Sequence, residues 1–507
     1  MAMKGEYGYK KIRISTAVSI LCLVLLAFVF YSCPAPPVSA ASSGIPEQII
    51  LTWTGDPADS QTITWLMSED TEAKIQYMEA DQFAGNFDSA TQKDAAGSAF
   101  GSSSYRYSVT LSGLAPDTQY IYRVGSEGDW SDTLSFTTAA DTEEFSFLYM
   151  GDVQSGYPEW GGMLDSVYQG YPEIEFSLMG GDLTDYDTEW GQFLDAAAGV
   201  FSRIPLMPAM GNHDGYMYLQ FFALPDNGPD GLQQEFYSFD YANAHFIVLN
   251  SMNNTDETVK QWLREDLQSS TKTWKFAMFH YPAYPAFDDG KTVDDSIREN
   301  WVPILEQYGV DMVFVGHQHQ YMRTYPIFQG SVQTDPAEYG IVYVMGNAGS
   351  KFYAAGSGFP YIAAEQTGSS YQIISIDDDV LTMVSEKANG ELIESYTIDK
   401  SLNLPPALMA DKTNNTVSRS VYKETGVKID IRFIDDAAWR AAITGITIDG
   451  RALNNDQYKI AKGKIRIYAG VFTGEGDYDI IVRAGGYEDG TVTQTMTRRI
   501  KRTIISE

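Results

Sequence analysis

Five runs of apolar residues in the middle of the chain each end in a cluster of polar residues. They read FSFLYMGD, EIEFSLMGGD, IPLMPAMGNHD, KFAMFHYP and VDMVFVGHQH, and the helix-like stretch DETVKQWLREDLQSS lies between two of them. Near-continuous apolar runs are typical of strands that are buried on both faces beneath helices. Open α/β sheets bind their ligands beyond the carboxyl ends of the strands. Residues 144–400 are therefore predicted to form a layered α/β domain with its functional site at the polar run ends.

Before this domain, residues 45–139 alternate between apolar and polar positions in short segments such as IILTWTG, TITWLM and YRYSVTLSGL. Alternation with a period of two, broken by Gly, Asp and Ser turns, predicts a β-sandwich. The stretch LAPDTQYIYRV, which contains Tyr120, resembles the corner motif of a fibronectin type III module. That resemblance implies a hydrogen bond between the tyrosine hydroxyl and a nearby backbone group.

The last segment, residues 401–507, returns to alternation and is predicted to form a second small β-sandwich. YKIAKGKIRIY reads as a hairpin that turns at Lys462-Gly463. The stretches IDDAAWRAAITGITIDG and GGYEDG resemble a bacterial surface module called the hemoglobin-interacting domain.

Residues 1–40 have the composition of a secretory signal peptide. Lys4, Lys10, Lys11 and Arg13 precede an apolar run from Ala17 to Tyr31, and Val38-Ser39-Ala40 offers a small-x-small cleavage site. We therefore expect a secreted or extracellular protein. Lipid anchoring through Cys33 is an alternative, although Phe30-Tyr31-Ser32 before it makes a poor lipobox.

The formal net charge of −32 at pH 7 argues against a nucleic-acid partner, because phosphate backbones are bound by clusters of Lys and Arg. A basic run, Arg498 to Arg502, is read as a solvated strand end. Association with an anionic cell envelope through the C-terminal module remains the alternative.

Four of the five histidines stand at the polar run ends. The residues gathered there are Asp152, Asp182, Asn212, His213, Asp214, His280, His317 and His319. Imidazole and carboxylate ligands together suit Zn, Mn, Fe or Ni. His317 and His319 alternate on an extended segment and point to opposite sides, which implies two ions bridged by an aspartate. The fifth histidine, His245 in NAHFIVLN, is interpreted as a satisfied strand residue outside the site.

This set of motifs, in this order, resembles the calcineurin-like metallophosphoesterases, and the preceding sandwich with PEQIILTWTGDP resembles the purple acid phosphatase branch. The resemblance implies two β-sheets flanked by helices, β-sandwich domains on both sides, and two divalent or trivalent ions (Fe, Mn or Zn). The ligands that it implies are His319, Asp152 and Asp182 for the first ion, and Asp182, Asn212, His280 and His317 for the second.

The resemblance also implies that a metal-bound hydroxide attacks a phosphate monoester of a small molecule while His213, oriented by Asp214, protonates the leaving oxygen. Substrate contacts are expected from Asn212 and His213, with Tyr284 and Asn347 as further candidates. Arg323 either contacts phosphate or pairs with an acid. A phosphodiesterase or nucleotidase is the alternative enzyme. A surface ligand-binding protein with an inert central domain is the alternative from another class.

Two positions depart from the purple acid phosphatase pattern. Gln154 stands where that branch has Gly, and it could supply an amide oxygen to an ion. Asp185 stands where that branch has the iron-binding Tyr, and Tyr186 comes one residue later, so that it should point away from the ion.

Overall fold

The structure is a computed structural model, and it describes residues 44–101, 104–333, 340–356, 358–402, 405–420, 423–425 and 427–498. The predicted signal segment, Cys33 and the end of the basic run lie outside the described residues. Within the described ranges, the helices are all too short or too polar to cross a membrane.

Two antiparallel sheets form the N-terminal part, with strand orders β1-β2-β6-β5 and β4-β3-β7-β8, where β9 also pairs with β7. Their strands are β1 (Glu47–Thr52), β2 (Ser60–Met67), β3 (Lys74–Glu79), β4 (Thr91–Asp94), β5 (Ala96–Phe100), β6 (Ser104–Ser112), β7 (Gln119–Ser126), β8 (Asp129–Trp130) and β9 (Leu134–Thr137). The Tyr120 hydroxyl accepts a hydrogen bond from the backbone N–H of Ala115 at 2.9 Å. The corner motif predicted a hydrogen bond between the tyrosine hydroxyl and a nearby backbone group, and this prediction is confirmed.

Two larger mixed sheets form the central part, with strand orders β12-β11-β10-β22-β23-β24 and β13-β14-β15-β16-β20-β17-β21. Their strands, with the small β18–β19 pair, are β10 (Glu144–Met150), β11 (Ile174–Met179), β12 (Leu206–Pro208), β13 (Tyr237–Tyr241), β14 (Ala244–Leu249), β15 (Trp274–Phe279), β16 (Met312–Val315), β17 (Tyr321–Thr324), β18 (Ile327–Phe328), β19 (Ser331–Val332), β20 (Val342–Met345), β21 (Ile362–Gln366), β22 (Ser370–Asp377), β23 (Val380–Lys387) and β24 (Leu392–Asp399). Strands β10, β11 and β12 run parallel, as do β14, β15, β16 and β20.

Helices cover the outer face of each central sheet. They are α1 (Tyr157–Gly170), α2 (Trp190–Phe201), α3 (Tyr218–Phe221), α4 (Glu257–Ser269), α5 (Val293–Asn300) and α6 (Val302–Gln307). On β10, Phe147 packs against the rings of Phe246, Phe276 and Phe314 in the other sheet. On β14, Phe246 and Val248 belong to the cluster between the sheets, while Ile247 and Leu249 belong to the cluster beneath α4 to α6. The predicted layered α/β core is therefore confirmed, and its order is helix, sheet, sheet, helix.

The N-terminal sheets pack directly on the central part. Trp53 lies edge-on to Phe176 of β11 at 5.4 Å, and the Tyr122 hydroxyl donates to the carbonyl of Ser202 at 2.6 Å. Ile50, Trp53 and Leu66 belong to the same buried apolar cluster as β10 and β11. These two parts consequently share one hydrophobic core.

The C-terminal part contains a six-stranded sheet, β26-β25-β33-β32-β28-β29, and a three-stranded sheet, β27-β31-β30. Its elements are β25 (Thr416–Ser420), β26 (Lys423–Thr425), β27 (Ile429–Arg432), α7 (Ala437–Ala442), β28 (Ile443–Ile448), β29 (Arg451–Ala452), β30 (Tyr458–Ala461), β31 (Lys464–Ile467), β32 (Gly476–Ala484) and β33 (Gly490–Arg498). Ala461 pairs with Lys464 across Lys462-Gly463, so the predicted hairpin turn is confirmed. An apolar cluster around Trp439 fills the space between these sheets and belongs to this part alone among the described residues.

Candidate metal centre

The polar run ends meet where the two central sheets adjoin. Asp152 follows β10, Asp182 follows β11, and Asn212, His213 and Asp214 follow β12. From the second sheet, His280 follows β15, and His317 and His319 follow β16. Because all five strands belong to the parallel parts of their sheets, their carboxyl ends lie on one side of the domain and bring these side chains together.

Two groups of ligand atoms overlap at Asp182. The Asp182, His280 and His317 group and the Asp152, Asp182 and His319 group each have ligand atoms within 4.8 Å of one another. Nε2 of His280 lies 3.2 Å from both Oδ2 of Asp182 and Oδ1 of Asn212. The structure therefore brings together the residues that the sequence predicted for two ions that share one carboxylate.

The donor set fits metal ions better than it fits internal hydrogen bonding. Oδ2 of Asp152 is buried and lies 3.2 Å from Nε2 of His319, yet it has no partner with hydrogen-bond geometry. Buried polar atoms normally have such a partner, and an orphaned carboxylate oxygen is costly. Oδ1 of Asn347, whose backbone bridges to Asp152, is buried and unpartnered as well. A cation at the Asp152, Asp182 and His319 group would satisfy the Asp152 oxygen.

Burial and nearby charges keep two of the imidazoles neutral. Burial lowers the pKa of His317 to about 3, with further lowering by the charges of His280 and Lys291. Burial also lowers the pKa of His319 to about 4, and the charge of Lys351 adds to that effect. Neutral imidazole is the form that binds a metal. Burial raises the pKa of Asp152, and the Asp182 carboxylate adds to the rise, because two buried anions repel each other without a cation between them.

Four residues of the centre have backbone conformations that side-chain-bearing residues rarely adopt. The φ angles are 50° at Gln154, 52° at Asp182, 75° at His317 and 45° at His319. Such conformations cost free energy and persist where the surrounding structure enforces them, commonly at functional sites. The strand ends therefore turn sharply at the residues whose side chains face the centre.

Two glycines allow the backbone to approach the carboxylates closely. A Cβ atom on Gly316 would lie 2.3 Å from Oδ1 of Asp152, and one on Gly211 would lie 2.1 Å from the backbone nitrogen of Asp182. Real Cβ atoms do not make contacts this short. The glycines of the GNHD and GHQH motifs are thus part of the geometry of the site.

The carboxylate that contacts the His213 imidazole is Asp185, and the prediction that Asp214 orients this ring is wrong. Nδ1 of His213 lies 3.2 Å from Oδ1 of Asp185, and the imidazole is 37% exposed. Asp214 is fully buried and accepts hydrogen bonds from the backbone N–H groups of Asp182, Leu183 and Gly211 at 2.7–2.9 Å. Asp214 was predicted because it is next to His213 in the sequence. The turn after β12 instead places its carboxylate against the backbone of the loop that follows β11.

Gln154 reaches the centre through its amide nitrogen. Its Nε2 donates to Oδ2 of Asp182 at 2.7 Å, while its Oε1 accepts from Nζ of Lys351 at 2.8 Å. The predicted role of the Gln154 oxygen as a metal ligand therefore has no support from this geometry. Lys351 was missed from the sequence because it has no motif and lies 197 residues from Gln154.

The predicted substrate contact of Arg323 is wrong, and the alternative of an acid pair is confirmed. Its Nε and Nη2 donate to the two carboxylate oxygens of Glu394 at 2.9 and 2.7 Å, and its guanidinium lies over the ring of Tyr396. Tyr284 is also buried, between the rings of Tyr343 and Tyr361 in the cluster beneath α4 to α6. These contacts give Tyr284 a packing role in place of the predicted substrate contact.

Two side chains that the sequence placed outside the ligand sets behave as predicted. Tyr186 is 64% exposed, and its side chain lies at the surface. His245 is buried on β14, where Nδ1 contacts Asp240 at 2.7 Å and Nε2 contacts Asp266 at 2.8 Å. Both ring nitrogens of His245 thus have partners away from the metal centre.

Three family models match the chain. They are the purple acid phosphatase N-terminal domain at residues 46–138, calcineurin-like phosphoesterase at residues 145–321, and the Hb-interacting domain of heme-binding protein Shr-like at residues 408–497. The sequence resemblances to these groups are thereby borne out.

Curated relatives come from bacteria, plants and animals. An uncharacterized protein of Mycobacterium tuberculosis is 28% identical over 278 residues, which cover 44% of this chain and 51% of the relative. Purple acid phosphatase 18 of Arabidopsis thaliana is 27% identical, covering 62% of this chain and 74% of the relative. Acid phosphatase type 7 of Homo sapiens is 26% identical, and the match covers 62% of this chain and 78% of the relative. The chain spans about half the length of the first of these relatives.

A solved structure shares the fold of most of the chain. A purple acid phosphatase from yellow lupin seeds has a TM-score of 0.60 at 19% identity, and the match covers 70% of this chain and 74% of the lupin chain. At this identity the likeness shows the fold alone.

Proposed function

We propose that this chain, a purple acid phosphatase-like metallophosphoesterase, hydrolyses phosphate monoesters of small molecules. The observation that carries the proposal is the pair of ligand groups that share Asp182 at the strand ends. Two metal ions held there would polarise the phosphoryl group and lower the pKa of a water molecule that serves as nucleophile. The ligand types are compatible with Fe, Mn or Zn.

The residues of the chain would hold the reacting groups in place. Asp152 and His319 on one side, and His280, His317 and Asn212 on the other, would fix the two ions on either side of Asp182. The backbone N–H of His213 donates to Oδ1 of Asp182 at 2.8 Å, so His213 is anchored to the shared carboxylate. Its partly exposed imidazole is therefore a candidate for the group that faces the substrate.

His213 would act as the general acid. As the water oxygen bonds to phosphorus and the bond between phosphorus and the alcohol oxygen breaks, a proton from the imidazole would go to the alcohol oxygen. The Asp185 carboxylate, 3.2 Å from Nδ1, would hold the ring in position. This arrangement assigns Asp185 the orienting role that the sequence suggested for Asp214.

We further propose that the protein is exported and acts outside the cytoplasm. The basic and apolar composition of residues 1–40 supports export. The match of residues 408–497 to a Hb-interacting domain supports a role for the C-terminal part in contacts at the cell envelope or with a host protein.

The direct test is metal analysis of the purified protein combined with turnover of an aryl phosphate monoester and a diester. We expect about two ions per chain, faster turnover of the monoester, and loss of both metal and activity in Asp182→Asn. Faster turnover of the diester would favour the phosphodiesterase alternative. A folded protein that binds no metal and hydrolyses neither ester would overturn the proposal in favour of a binding protein.

A further inference from the structure

Two lysines flank the candidate metal centre in a chain whose charge is strongly negative. The sequence has 35 Lys and Arg residues against 67 Asp and Glu residues, so basic side chains are scarce on average. Lys291 and Lys351 nevertheless approach the two ligand groups, one on each side. The five strand-end motifs that carry the proposed chemistry include neither of them.

Lys291 lies on the side of the His280 and His317 group. Its Nζ is 2.7 Å from Nε2 of His317 and 5.0 Å from the centre of the Tyr281 ring. The side chain is 45% exposed and lines a cavity of about 410 Å³, with Phe287, Gln318 and Tyr353 among the other lining residues. His317 and Asp289 also line this cavity, so a group that enters it meets the lysine beside a proposed metal ligand.

Lys351 lies on the side of the Asp152 and His319 group. Its Nζ donates to Oε1 of Gln154, whose Nε2 donates in turn to Asp182. Its carbonyl oxygen is 3.3 Å from Nδ1 of His319. The backbone of Lys351 is therefore tied to one ligand and its ammonium group is linked to the shared carboxylate through one amide.

The ammonium groups of Lys291 and Lys351 have weaker contacts with carboxylates than those of Lys387 and Lys400. Lys400 and Lys387 lie 2.7 and 2.8 Å from their carboxylate partners. Lys291 forms a longer ion pair, with 3.7 Å between its Nζ and Oδ2 of Asp289. Within the described ranges, Lys351 has no carboxylate within ion-pair distance, and its ammonium contact is to a neutral amide. An anion would therefore compete with one long ion pair at Lys291 and with a neutral amide at Lys351.

We propose that Lys291 and Lys351 form a two-sided cationic clamp that binds the phosphate group of the substrate and makes the site selective for dianionic monoesters over monoanionic diesters. This inference rests on the proposed function and specifies its substrate class. A phosphate monoester carries a second negative charge above a pKa of about 6, whereas a diester carries only one. Lysine suits this role because its ammonium is a compact charge on a flexible stem that can turn from its present partner toward an anion.

The test compares Lys291→Met and Lys351→Met with Lys387→Met, which removes a surface lysine paired with Glu391 outside the centre. Binding of inorganic phosphate to the metal-loaded protein is measured by calorimetry at a pH above 7. Charge-assisted hydrogen bonds are strong enough that each clamp variant should weaken phosphate binding by about 10- to 100-fold. Lys387→Met should bind phosphate like the wild type, and metal content and melting temperature should be unchanged in all three variants.

Catalysis is compared with two esters that share one leaving group, nitrophenyl phosphate and methyl nitrophenyl phosphate. The clamp variants should lose kcat/KM mainly on the monoester, so the ratio of monoester to diester should fall by about the same factor as phosphate affinity. Lys291→Arg should keep part of the preference because it keeps the charge. Equal losses on both esters, or unchanged phosphate affinity, would overturn the clamp.

The phosphate measurement separates this inference from the proposed function. If the wild type binds metal and phosphate but hydrolyses neither ester, while both lysine variants lose phosphate affinity, the proposed function fails and the anion clamp stands. If the wild type hydrolyses the monoester and the lysine variants bind phosphate as it does, the function stands and the clamp fails.

Discussion

The imidazole of His213 and the carboxylate of Asp185 form a pair at the edge of the metal centre. If His213 donates the proton to the leaving oxygen, its loss should matter most for a basic leaving group. We expect His213→Ala to reduce kcat on an alkyl phosphate by roughly 10²- to 10⁴-fold, the usual contribution of acid catalysis, and kcat on a nitrophenyl phosphate by distinctly less. Asp185→Asn should show the same pattern more weakly, with metal content intact.

The matched comparison is Asp214→Asn. Because Asp214 is buried and accepts three short backbone hydrogen bonds, its change should lower the melting temperature and affect both esters alike. A selective loss on the alkyl ester in Asp214→Asn, with none in Asp185→Asn, would restore the assignment made from sequence adjacency. Equal losses on the two esters in metal-replete His213→Ala would remove its role as acid.

His245 carries a different prediction, which concerns stability and pH. Burial alone would lower its pKa, but its hydrogen bonds to Asp240 and Asp266, with the charges of both acids, raise the pKa to about 9. A folded-state pKa above the unfolded value of about 6.5 stabilises the fold below pH 6.5, and this contribution is lost as the pH rises through 9. It amounts to at most about 3 kcal/mol for a side chain this buried.

The measurement is the melting temperature of the wild type and of His245→Gln between pH 6 and pH 9.5. The difference in melting temperature between the two proteins should be widest near pH 6 and should narrow as the pH rises from about 6.5 through 9. A difference in melting temperature that stays constant over this range would show that His245 is neutral in the folded protein.

At the scale of the element, the turn that follows β16 depends on Gly316. An added Cβ there would collide with Oδ1 of Asp152, which already accepts the backbone N–H of His317 at 2.7 Å. We expect Gly316→Ala to displace the Asp152 carboxylate and to reduce the metal content of the purified protein, with a lower melting temperature. Metal per chain is measured by mass spectrometry of the eluted ions.

Gly162 provides the control for this substitution. It lies on the exposed face of α1, and an added Cβ would meet no atom within 4 Å. Alanine is favoured over glycine inside a helix by up to about 1 kcal/mol, so Gly162→Ala should keep its metal and melt at an equal or higher temperature. Full metal occupancy in Gly316→Ala would mean that the strand end can rearrange without harm to the site.

At the scale of the whole molecule, the two flanking parts should differ in how much the metal centre needs them. The C-terminal part has its own core around Trp439, and all proposed ligands precede it. A chain that ends at Leu402 should therefore keep its metal and its rate of ester hydrolysis. Removal of residues 44–139 should instead cause unfolding or aggregation, because Trp53 and Leu66 complete the core that contains Phe176.

Both shortened chains are assessed by metal content, circular dichroism and turnover of an aryl phosphate. Loss of metal from a folded chain that ends at Leu402 would contradict the independence of the C-terminal part. A soluble, active chain without residues 44–139 would show that the shared core is dispensable for the central fold.

Local patterns in the sequence were sufficient to predict the layered core and the polar residues that gather at its strand ends, whereas their division between two ions came from the family resemblance. An apolar run that ends in Asp or His signals both a buried strand and a ligand at its carboxyl end, and parallel strands bring those ends together. The Tyr120 corner and the hairpin at Gly463 were predictable for the same reason, since each forms from neighbouring residues.

Local sequence patterns could not predict contacts between segments that are distant in the sequence. Arg323 meets Glu394 from 71 residues away, and Lys351 meets Gln154 from 197 residues away. Asp185 contacts His213 in place of its neighbour Asp214 because the turns after β11 and β12 set the direction of each carboxylate. Residue type and local period determine which side chains reach the strand ends, but the partner of each charged group depends on how the loops of both sheets pack against one another.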